Sequence, residues 1–365
     1  MVETGPLPEG TARVPAKTLG AFMAAAFRAA GVEEAHARLT AEVLLDADLR
    51  GVRSHGAARL AQFVNQVERG VVNKRPKLTY RAGSDTTGVL DADNALGTVA
   101  TDRALEEALA MAERHGTGFV AVRNSNHWGY PAYWSRKAAR RGCIGIAMSN
   151  GGRFVAPTFS VEPVLGTNPL AVTIPGTPGG EQFHLDMATS AVARGKIETA
   201  LREGKSIPRG WIPEAFGEKI PVDERGIMSY DVPLLPLGGE GTETGGHKGY
   251  ALSLMVELLS SVLSGLGVEN AIETSDPMNL LTGHLLGAIR VSGFREPGRV
   301  QAQISGTFQR VRSAKKAPGH DRIFIPGEPE AVAEEENGRL GVPLTPPIMA
   351  QLRRLNERLA LGFEL

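Results

Sequence analysis

The stretch D-L-R-G-V-R-S-H-G-A-A-R-L, residues 48–60, joins two helical segments and decides how the first part of the chain folds. Gly51 ends a helix predicted over 32–50, and Ser54 is predicted as the N-cap of the next helix, which Gly70 terminates. The apolar residues of that second helix recur with the spacing of one buried face, and they are Leu60, Phe63, Val64 and Val67. The pattern predicts two packed helices joined by a tight turn.

The same turn brings an imidazole and a guanidinium together. His55 is expected in the first turn of the second helix, with Arg59 one turn further along on the neighbouring face. A guanidinium fork binds a carboxylate, and an imidazole beside it reaches the adjacent carbonyl oxygen, which is what a 2-oxo acid needs. A capping serine followed by a surface histidine and arginine has the same spacing, so spacing alone leaves both interpretations open.

Helices are predicted toward both ends of the chain and strands in its middle. An amphipathic helix over 19–30 precedes the quoted stretch, and another over 347–361 ends the pattern. The order predicts an α/β (α+β) fold in which a helical layer from both termini surrounds a central mixed sheet. Between the ends, helices are predicted over 101–115, 131–141 and 248–263, and strands over 78–80, 88–91, 118–123, 144–149, 170–174, 182–185, 286–291 and 301–305.

Two intertwined domains are expected, because 365 residues are long for one hydrophobic core. The predicted helical domain comprises residues 1–75 together with about 245–285 and 340–365. The predicted mixed-sheet domain comprises 76–244 together with about 286–339.

The composition excludes several classes of protein. Hydrophobic residues make up 42% of the chain, as in an ordinary globular protein, and 40 basic residues balance 40 acidic ones. No basic excess is therefore present to hold a nucleic-acid backbone, and a surface without net charge favours self-association.

A cytoplasmic location is expected from three features. The lone Cys143 lies in an apolar run and excludes an internal disulfide framework. Residues 1–15 lack the apolar core of a secretion signal. The longest apolar stretch, 251–266, is interrupted by Glu257 and four serines, so no membrane span is expected.

The familiar nucleotide and metal signatures are absent from the sequence. Residues 116–121 match G-x-G-x-x-A by letters, but they follow a predicted helix and enter a strand, which reverses the order of a dinucleotide-binding turn. The eight histidines show no paired metal-ligand spacing, so no metal is expected, although ligands can still converge in space.

Further small polar clusters stand at the predicted ends of strands and helices. Each also fits an ordinary turn or cap. In the cluster 184–190, Asp186 ends a strand and small residues then open a helix, whose free N–H groups would suit a phosphate or a carboxamide. Lys248, in the first turn of a helix, opposes the helix dipole and indicates an anionic partner. The other clusters are 124–129, 165–170 and 325–329.

Taken in order, these clusters resemble the type-2 malate/L-lactate dehydrogenase family, which includes sulfolactate, ureidoglycolate and diketogulonate dehydrogenases. The resemblance extends from about residue 17 to 330. The motifs that carry it are D-L-R-G-V-R-S-H-G-A-A-R-L (48–60), N-S-N-H-W-G (124–129), L-G-T-N-P-L (165–170), D-M-A-T-S (186–190), P-R-G-W (208–211), L-P-L-G-G (235–239), H-K-G-Y-A-L (247–252) and I-P-G-E (325–328).

The resemblance implies a non-Rossmann fold like that of L-sulfolactate dehydrogenase, a homodimer, and NAD or NADP bound in the mixed-sheet domain. His55 becomes the expected proton donor and acceptor, with His127 as a competing candidate. Ser54, Arg59 and Asn168 become the expected substrate-binding residues. The expected cofactor-binding residues are Asn150, Asp186, Met187, Ala188, Thr189, Ser190, His247, Lys248, Pro326, Gly327 and Glu328.

The expected reaction is hydride transfer between NAD(P)(H) and a small 2-oxo or 2-hydroxy carboxylate. Reduction of a cyclic imino acid by NADPH is an alternative, because that substrate also carries a carboxylate beside an sp² carbon. Two readings from other classes are a metal-assisted hydrolase that uses His55, His127 and Asp186, and a non-catalytic binding protein.

Overall fold

The computed structural model of the chain describes residues 7–176, 182–202, 206–217, 220, 228–229, 231–266 and 281–365. Its helices are α1 (Ala16–Ala29), α2 (Glu34–Leu49), α3 (Ala57–Glu68), α4 (Gly97–His115), α5 (Pro131–Ala139), α6 (Arg194–Arg202), α7 (Gly246–Glu257), α8 (Pro297–Ser313), α9 (Glu328–Leu340) and α10 (Pro346–Arg358). Its strands are β1 (Ala12–Val14), β2 (Thr79–Ala82), β3 (Thr87–Asp91), β4 (Thr117–Ser125), β5 (Cys143–Ser149), β6 (Leu170–Ile174), β7 (Phe183–Met187), β8 (Thr282–Arg290) and β9 (Val342–Leu344).

A mixed sheet of seven strands, in the order β2-β3-β4-β8-β5-β6-β7, forms the centre of the described structure. Only β3 and β4 pair in parallel, and every other neighbouring pair in this sheet is antiparallel. Strands β3, β4, β5 and β7 therefore run in one direction, and β2, β6 and β8 run in the other.

This alternation brings distant polar segments to one edge of the sheet. The carboxyl ends of β4, β5 and β7 lie at the same edge as the amino ends of β6 and β8. The register confirms it, because Ser125 pairs with Thr282, and Ser149 pairs with His284. Leu170, at the start of β6, likewise pairs with Met187 at the end of β7. The polar clusters that the sequence scatters along the chain thus meet at this edge.

The helical layer joins both ends of the chain, as predicted. Buried apolar residues of α1, α2, α3 and α10 form one hydrophobic cluster, which includes Phe22, Leu44, Phe63 and Leu352. Strand β1 pairs with β9, so that Val14 lies opposite Val342. Burial of these side chains, each worth about 1.5–3 kcal/mol, holds the two ends of the chain together.

Helices cover both faces of the large sheet. Helices α4 and α5 pack on one face, where Leu105 and Trp134 are buried in the second hydrophobic cluster. Helix α7 packs on the other face, where Val256 contacts the cluster that contains Ala121 and Leu285. Helix α7 is thus tied to the sheet by packing, whereas the sequence grouped it with the helical domain. The division into two domains stays a prediction.

Some local predictions were wrong. Residues 301–305 lie inside helix α8 and form no strand. The sequence alternates polar and apolar residues there, but Glu296 caps the helix by accepting hydrogen bonds from the N–H groups of Gly298 and Arg299, both at 2.9 Å. Helix α9 begins directly after Gly327, whereas the sequence predicted no helix after the cluster 325–329.

The remaining expectations concern loops and membranes. Residues 204–246 are rich in glycine and proline, which predicts a long ordered loop. Part of this stretch lies outside the described residues, and its described part contains a short 3₁₀ turn, Glu214–Phe216. None of the helices among the described residues combines the length and the apolar character needed to cross a bilayer.

Candidate active site

A buried carboxyl group fixes the turn between α2 and α3. Asp48 is only 2% exposed, and its Oδ2 accepts a hydrogen bond of 2.7 Å from the Ala57 N–H. A side chain at Gly56 would place its Cβ 2.0 Å from Asp48 Oδ1, so the turn passes directly over this carboxyl group. Burial raises the pKa of Asp48 to about 7, although the Ala57 hydrogen bond and the charge of Arg53 work against that rise.

The first turn of α3 differs from the sequence prediction. Ser54 does not cap α3, because the N-cap position is Gly56 and the carboxyl group of Asp48 takes the capping role. His55 consequently lies in a separate 3₁₀ turn, Arg53–His55, and not in the first turn of the helix.

Ser54, His55 and Arg59 nevertheless form one contact group. Ser54 Oγ lies 2.9 Å from His55 Nδ1. Arg59 folds back so that its Nε donates to the Ser54 carbonyl oxygen at 2.9 Å, and its Nη1 donates to Gln62 Oε1 at 3.0 Å. Burial, followed by the charge of Arg59, lowers the pKa of His55 to about 3. The imidazole is therefore neutral at physiological pH.

His127 completes this group from the loop after β4. Its ring stacks on that of His55, with the centroids 5.6 Å apart and the planes inclined by 28°. The Gly129 N–H donates to His127 Nδ1 at 3.3 Å, so the neutral ring carries its proton on Nε2. Burial, then Arg59 and the two neighbouring histidines, His55 and His284, hold the pKa of His127 well below its usual value. Two neutral imidazoles thus lie side by side near one guanidinium.

His284 packs against Trp128, the residue after His127, and it was not among the residues predicted from the sequence. The side chain is completely buried in β8, with Nδ1 2.8 Å from Ser149 Oγ and Nε2 2.9 Å from Ser125 Oγ. Its ring stacks on Trp128, at a centroid distance of 4.5 Å. Burial lowers the pKa of His284 to about 3. The available signal was a histidine at the start of an otherwise apolar strand.

Asp186 lies at the same edge of the sheet, in strand β7. Its Oδ2 accepts a hydrogen bond of 3.2 Å from the Ala132 N–H, in the first turn of α5. Burial raises the pKa of Asp186 to about 6, although the Ala132 hydrogen bond opposes the rise. Because α5 follows the His127 loop directly, this contact ties Asp186 to the histidine pair.

In the segment after Asp186, backbone N–H groups are already hydrogen-bonded to carbonyl groups of the same chain. The sequence analysis expected free N–H groups there, but the Thr189 N–H donates to the Thr167 carbonyl at 2.9 Å, and the Ala191 N–H donates to the Leu235 carbonyl at 2.8 Å. Ser190 Oγ donates to the Val192 carbonyl at 2.9 Å. Helix α6 begins only at Arg194, so the expectation of free N–H groups was wrong at these two positions.

The turn before α9 crosses the edge strand β7. The His184 N–H donates to the Pro326 carbonyl at 3.0 Å. Gly327 has a φ of 97°, which favours glycine. It also lies against the His184 ring, and a Cβ at this position would approach that ring to 2.6 Å. Both the backbone conformation and the close contact therefore require glycine. Pro326 and Gly327 are therefore placed close to Asp186, two residues along the strand from His184.

Glu328 is held by neighbours within the chain. Partial burial works to raise the pKa of Glu328, but a hydrogen bond from the Ile325 N–H and the charges of Arg312 and Arg322 outweigh it and lower the pKa. The Ile325 hydrogen bond measures 2.9 Å, and Arg312 Nη2 lies 3.4 Å from Glu328 Oε1.

Two pairs of the expected residues remain. His247 and Lys248 are exposed in the first turn of α7, and the contacts of the described residues do not join them to the histidine pair. Asn150 and Asn168 do meet, because both side-chain amides donate to the carboxylate of Glu257, at 3.4 Å and 2.9 Å. Asn168 is fully buried and engaged on both sides of its amide.

The residues proposed for a metal-assisted hydrolase do not form a metal centre. Within the described ranges, no group of three or more histidine, cysteine, aspartate or glutamate side chains is arranged to hold a metal ion. The Asp186 carboxyl group is bound to a backbone N–H, and the His127 Nδ1 accepts from another.

Comparison with known proteins agrees with the observed fold. The family model described as malate/L-lactate dehydrogenase matches residues 14–353. A malate dehydrogenase from Pyrococcus abyssi is 36% identical over 366 residues, which cover 100% of both chains. An L-sulfolactate dehydrogenase from Methanothermobacter thermautotrophicus is 33% identical over 92% of this chain and 94% of its own. A ureidoglycolate dehydrogenase (NAD(+)) from Escherichia coli is 31% identical over 88% and 90%.

Solved structures give the same picture. The malate dehydrogenase of Pyrococcus horikoshii superimposes with a TM-score of 0.88 at 35% identity, covering 100% of this chain and 99% of that one. The Δ1-piperideine-2-carboxylate reductase of Pseudomonas syringae has a TM-score of 0.76 at 26% identity, covering 94% and 100%. These matches confirm the predicted fold class and the resemblance noted in the sequence. The chain belongs to the malate/L-lactate dehydrogenase family.

Proposed function

We propose that this protein is an NAD(P)-dependent oxidoreductase that moves a hydride between the nicotinamide and a small 2-oxo or 2-hydroxy carboxylate, such as malate, lactate or sulfolactate. The observation that carries the proposal is the stacked pair of neutral imidazoles, His55 and His127, beside the guanidinium of Arg59. One cation and two hydrogen-bonding rings at a sheet edge suit an anionic substrate with a reactive carbonyl next to its carboxylate.

The side chains have separate roles in this reaction. Arg59 binds the substrate carboxylate, and Ser54 helps to orient it. A nicotinamide cofactor held at this edge would supply the hydride, and negative charge would then develop on the oxygen at C2 of the substrate. The substrate carboxylate at Arg59 would offset the positive charge that, after burial, lowers the pKa of His55, so that His55 can take up a proton from solvent and pass it to that oxygen. His127 is the competing donor, and its Nε2–H is fixed by the Gly129 contact. Such acid catalysis contributes about 10²–10⁴-fold to the rate.

The proposed cofactor site follows the sheet edge. Lys248 and His247 are exposed at the N-terminus of α7, where a cation and the helix dipole suit a pyrophosphate. This donor set fits an anionic dinucleotide, and the glycine at 327 lets the backbone pass close to β7. The proposed lining residues are Asn150, Asp186, Met187, Ala188, Thr189, Ser190, His247, Lys248, Pro326, Gly327 and Glu328.

A second candidate substrate is a cyclic imino acid. The similarity to a Δ1-piperideine-2-carboxylate reductase supports it, and so does the chemistry, because a C=N bond beside a carboxylate presents the same two features to Arg59 and a histidine. The substrate's ring nitrogen would then take the proton in place of the C2 oxygen.

A homodimer in the cytoplasm completes the proposal. Helix α7 supports self-association, because it packs Val256 on the sheet yet exposes apolar side chains on its outer face. This face is formed by Met255 and, in the π turn Leu258–Val262 that continues the helix, by Leu258 and Val262. The three side chains are 36%, 49% and 48% exposed. A helix that is apolar on its outer face as well is normally covered by another element. Because the chain has no net charge, two copies do not repel each other electrostatically.

The test is a substrate scan with the purified protein. Oxidation of NADH and of NADPH is followed with oxaloacetate, pyruvate, sulfopyruvate and a cyclic imino acid. Turnover with one of the 2-oxo acids supports the first proposal, and turnover confined to the imino acid supports the second. Failure to bind either nicotinamide cofactor in a fluorescence titration would refute both and favour a non-catalytic scaffold.

A further inference from the structure

The carboxylate of Glu257 connects three segments at the active edge of the sheet. Glu257 is the last residue of α7. Its Oε1 accepts hydrogen bonds from Ser261 Oγ at 2.8 Å and from Asn150 Nδ2 at 3.4 Å, and its Oε2 accepts one from Asn168 Nδ2 at 2.9 Å. Helix α7, the end of β5 and the loop before β6 thus converge on one acidic side chain.

Both asparagine amides are locked in orientation. Asn150 Oδ1 accepts a hydrogen bond from the Gly283 N–H at 2.8 Å, and Asn168 Oδ1 accepts one from the Gly151 N–H at 3.1 Å. A backbone N–H only donates, so the oxygen of each amide must face it and each NH₂ group must face Glu257. The position between the two amides therefore requires a group that only accepts, which a carboxylate is and a carboxamide is not.

The surroundings leave little room for another arrangement. Asn168 has a left-handed φ of 37° and donates a further hydrogen bond to the Ser253 carbonyl at 2.9 Å. A Cβ at Gly166 would approach Asn168 Oδ1 to 2.3 Å. The helix widens into a π turn, Leu258–Val262, directly after Glu257, and this turn carries Ser261. Wide turns of this kind often occur at functional sites.

The cluster is also coupled to the histidine pair. Ser149, the residue before Asn150, places its Oγ 2.8 Å from His284 Nδ1, and it can donate to the Asn150 carbonyl at 2.9 Å. His284 in turn stacks on Trp128, which is the neighbour of His127 in the chain. A continuous chain of contacts therefore runs from Asn150 to the residue beside His127.

We propose that Glu257 is a positioning residue that holds the amides of Asn150 and Asn168 in the orientation used to seat the nicotinamide cofactor against the substrate. The proposal rests on the function proposed above. Glu257 acts only through the two asparagines, and its requirement for a carboxylate comes from the two locked NH₂ groups. None of the family resemblances in the sequence assigned this residue a role.

The decisive variant is Glu257→Gln, which keeps the shape but offers one acceptor and one NH₂ group. The new NH₂ group must face the NH₂ group of Asn150 or of Asn168, and neither asparagine can turn its amide without losing the hydrogen bond from the Gly283 or Gly151 N–H. By analogy with residues that orient metal ligands, whose loss costs about 10–100-fold in affinity or activity, we expect the Kd for NADH or NADPH to rise about tenfold or more. The turnover number falls as well.

A second change restores the pattern and guards against simple misfolding. In the double variant Asn150→Asp/Glu257→Gln, the aspartate accepts from Gly283 and from the new NH₂ group, while the glutamine oxygen still accepts from Asn168. The two changes conserve the net charge. We expect the cofactor Kd of the double variant to lie below that of Glu257→Gln alone, and this non-additive recovery is the signature of direct coupling.

Ser264→Ala serves as the matched control. Ser264 Oγ donates to the Ser261 carbonyl at 2.8 Å, close to the same turn, but contacts neither asparagine. Its removal lowers the melting temperature and leaves the cofactor Kd unchanged. If Glu257→Gln behaves in the same way, or the double variant shows no recovery, Glu257 is merely structural. If the wild-type protein binds neither NADH nor NADPH, the proposed function itself is wrong. This outcome is distinct from failure of the positioning role of Glu257 alone, in which the wild type still binds the cofactor.

Discussion

The rings of His55 and His127 stack with their centroids 5.6 Å apart, although one follows α2 and the other follows β4. Each ring helps to remove water from the other, and Arg59 adds a positive charge close to both. Burial and that charge act in the same direction, so the pKa values of both histidines lie far below the ordinary value. In the absence of substrate, both imidazoles are therefore neutral, and each can donate one hydrogen bond and accept another.

Removal of the imidazole of His55 tests its assignment as proton donor. We expect His55→Ala to lower kcat by about 10²–10⁴-fold, because the charge that develops on the substrate oxygen loses its acid. The Kd for NAD(P)H, measured by fluorescence, should stay near the wild-type value. His127→Ala is the comparison, and a larger loss in that variant would transfer the role to His127. Wild-type kinetics in both variants would contradict the site.

Two substitutions of Arg59 separate its charge from its shape. Arg59→Lys and Arg59→Gln both remove the bidentate fork, so both should raise the KM for the carboxylate substrate. Only Arg59→Gln removes the positive charge that lowers the pKa of His55 and His127. Those pKa values then rise, imidazolium persists to higher pH, and the limb of the kcat/KM profile that reports these histidines moves to higher pH. Identical pH profiles for the two variants would show that Arg59 lies too far away to act on the histidines.

Asp48 gives the turn below His55 a dependence on pH. Its pKa is about 7 in the folded protein against 3.8 as the ordinary value, so the folded state binds more protons between these limits. Stability from this group is present at low pH and is lost as pH rises through 7. Asp48→Asn keeps an acceptor for the Ala57 N–H but does not titrate.

We therefore expect the free energy of unfolding of the wild type to fall, relative to Asp48→Asn, by about 2–3 kcal/mol between pH 5 and pH 8. Urea titrations of both proteins at the two pH values measure this difference, and the constant cost of the new amide cancels in it. A gap of the opposite sign would mean that the carboxyl group stays ionised in the folded protein.

Two glycine substitutions compare a crowded position with an open one. Gly56→Ala places a Cβ 2.0 Å from Asp48 Oδ1, so the turn that carries His55 must move. We expect a loss of about 1–3 kcal/mol in stability, together with a fall in kcat/KM. Gly306→Ala, inside α8, meets no atom within 4 Å and should stabilise the protein by about 0.5–1 kcal/mol. Chemical denaturation measures both, and a neutral Gly56→Ala would contradict the close approach of Asp48.

The sequence was sufficient where a residue's role depends on its neighbours in the chain. Leu60 to Val67 revealed the buried face of α3 by spacing alone, and the motif around His127 marked the end of β4. Asp48 could not be recognised as the cap of α3, because its carboxyl group reaches across a turn that local patterns assign to Ser54.

Two residues that support the site, His284 and Glu257, could not be recognised from local sequence patterns either. His284 and Glu257 act through contacts with Ser125, Ser149, Asn150 and Asn168, which come from other strands and loops. Only the strand order, with β8 between β4 and β5, brings these residues together, and the order of seven strands cannot be read from hydrophobic periodicity.

The outer face of α7 offers a test of the proposed homodimer. Leu258 is 49% exposed at the centre of the stripe formed with Met255 and Val262. Burial of a side chain of this kind against a second copy contributes about 1.5–3 kcal/mol, and a charge at the same place would have to be buried without a partner. We expect Leu258→Glu to shift the protein from dimer to monomer in analytical ultracentrifugation. Val332→Glu, at a side chain 53% exposed on α9, is the matched control and should leave the dimer intact. If the wild-type protein sediments as a monomer, the proposed homodimer is wrong. If the Leu258→Glu variant remains dimeric, the dimer contact lies on another surface.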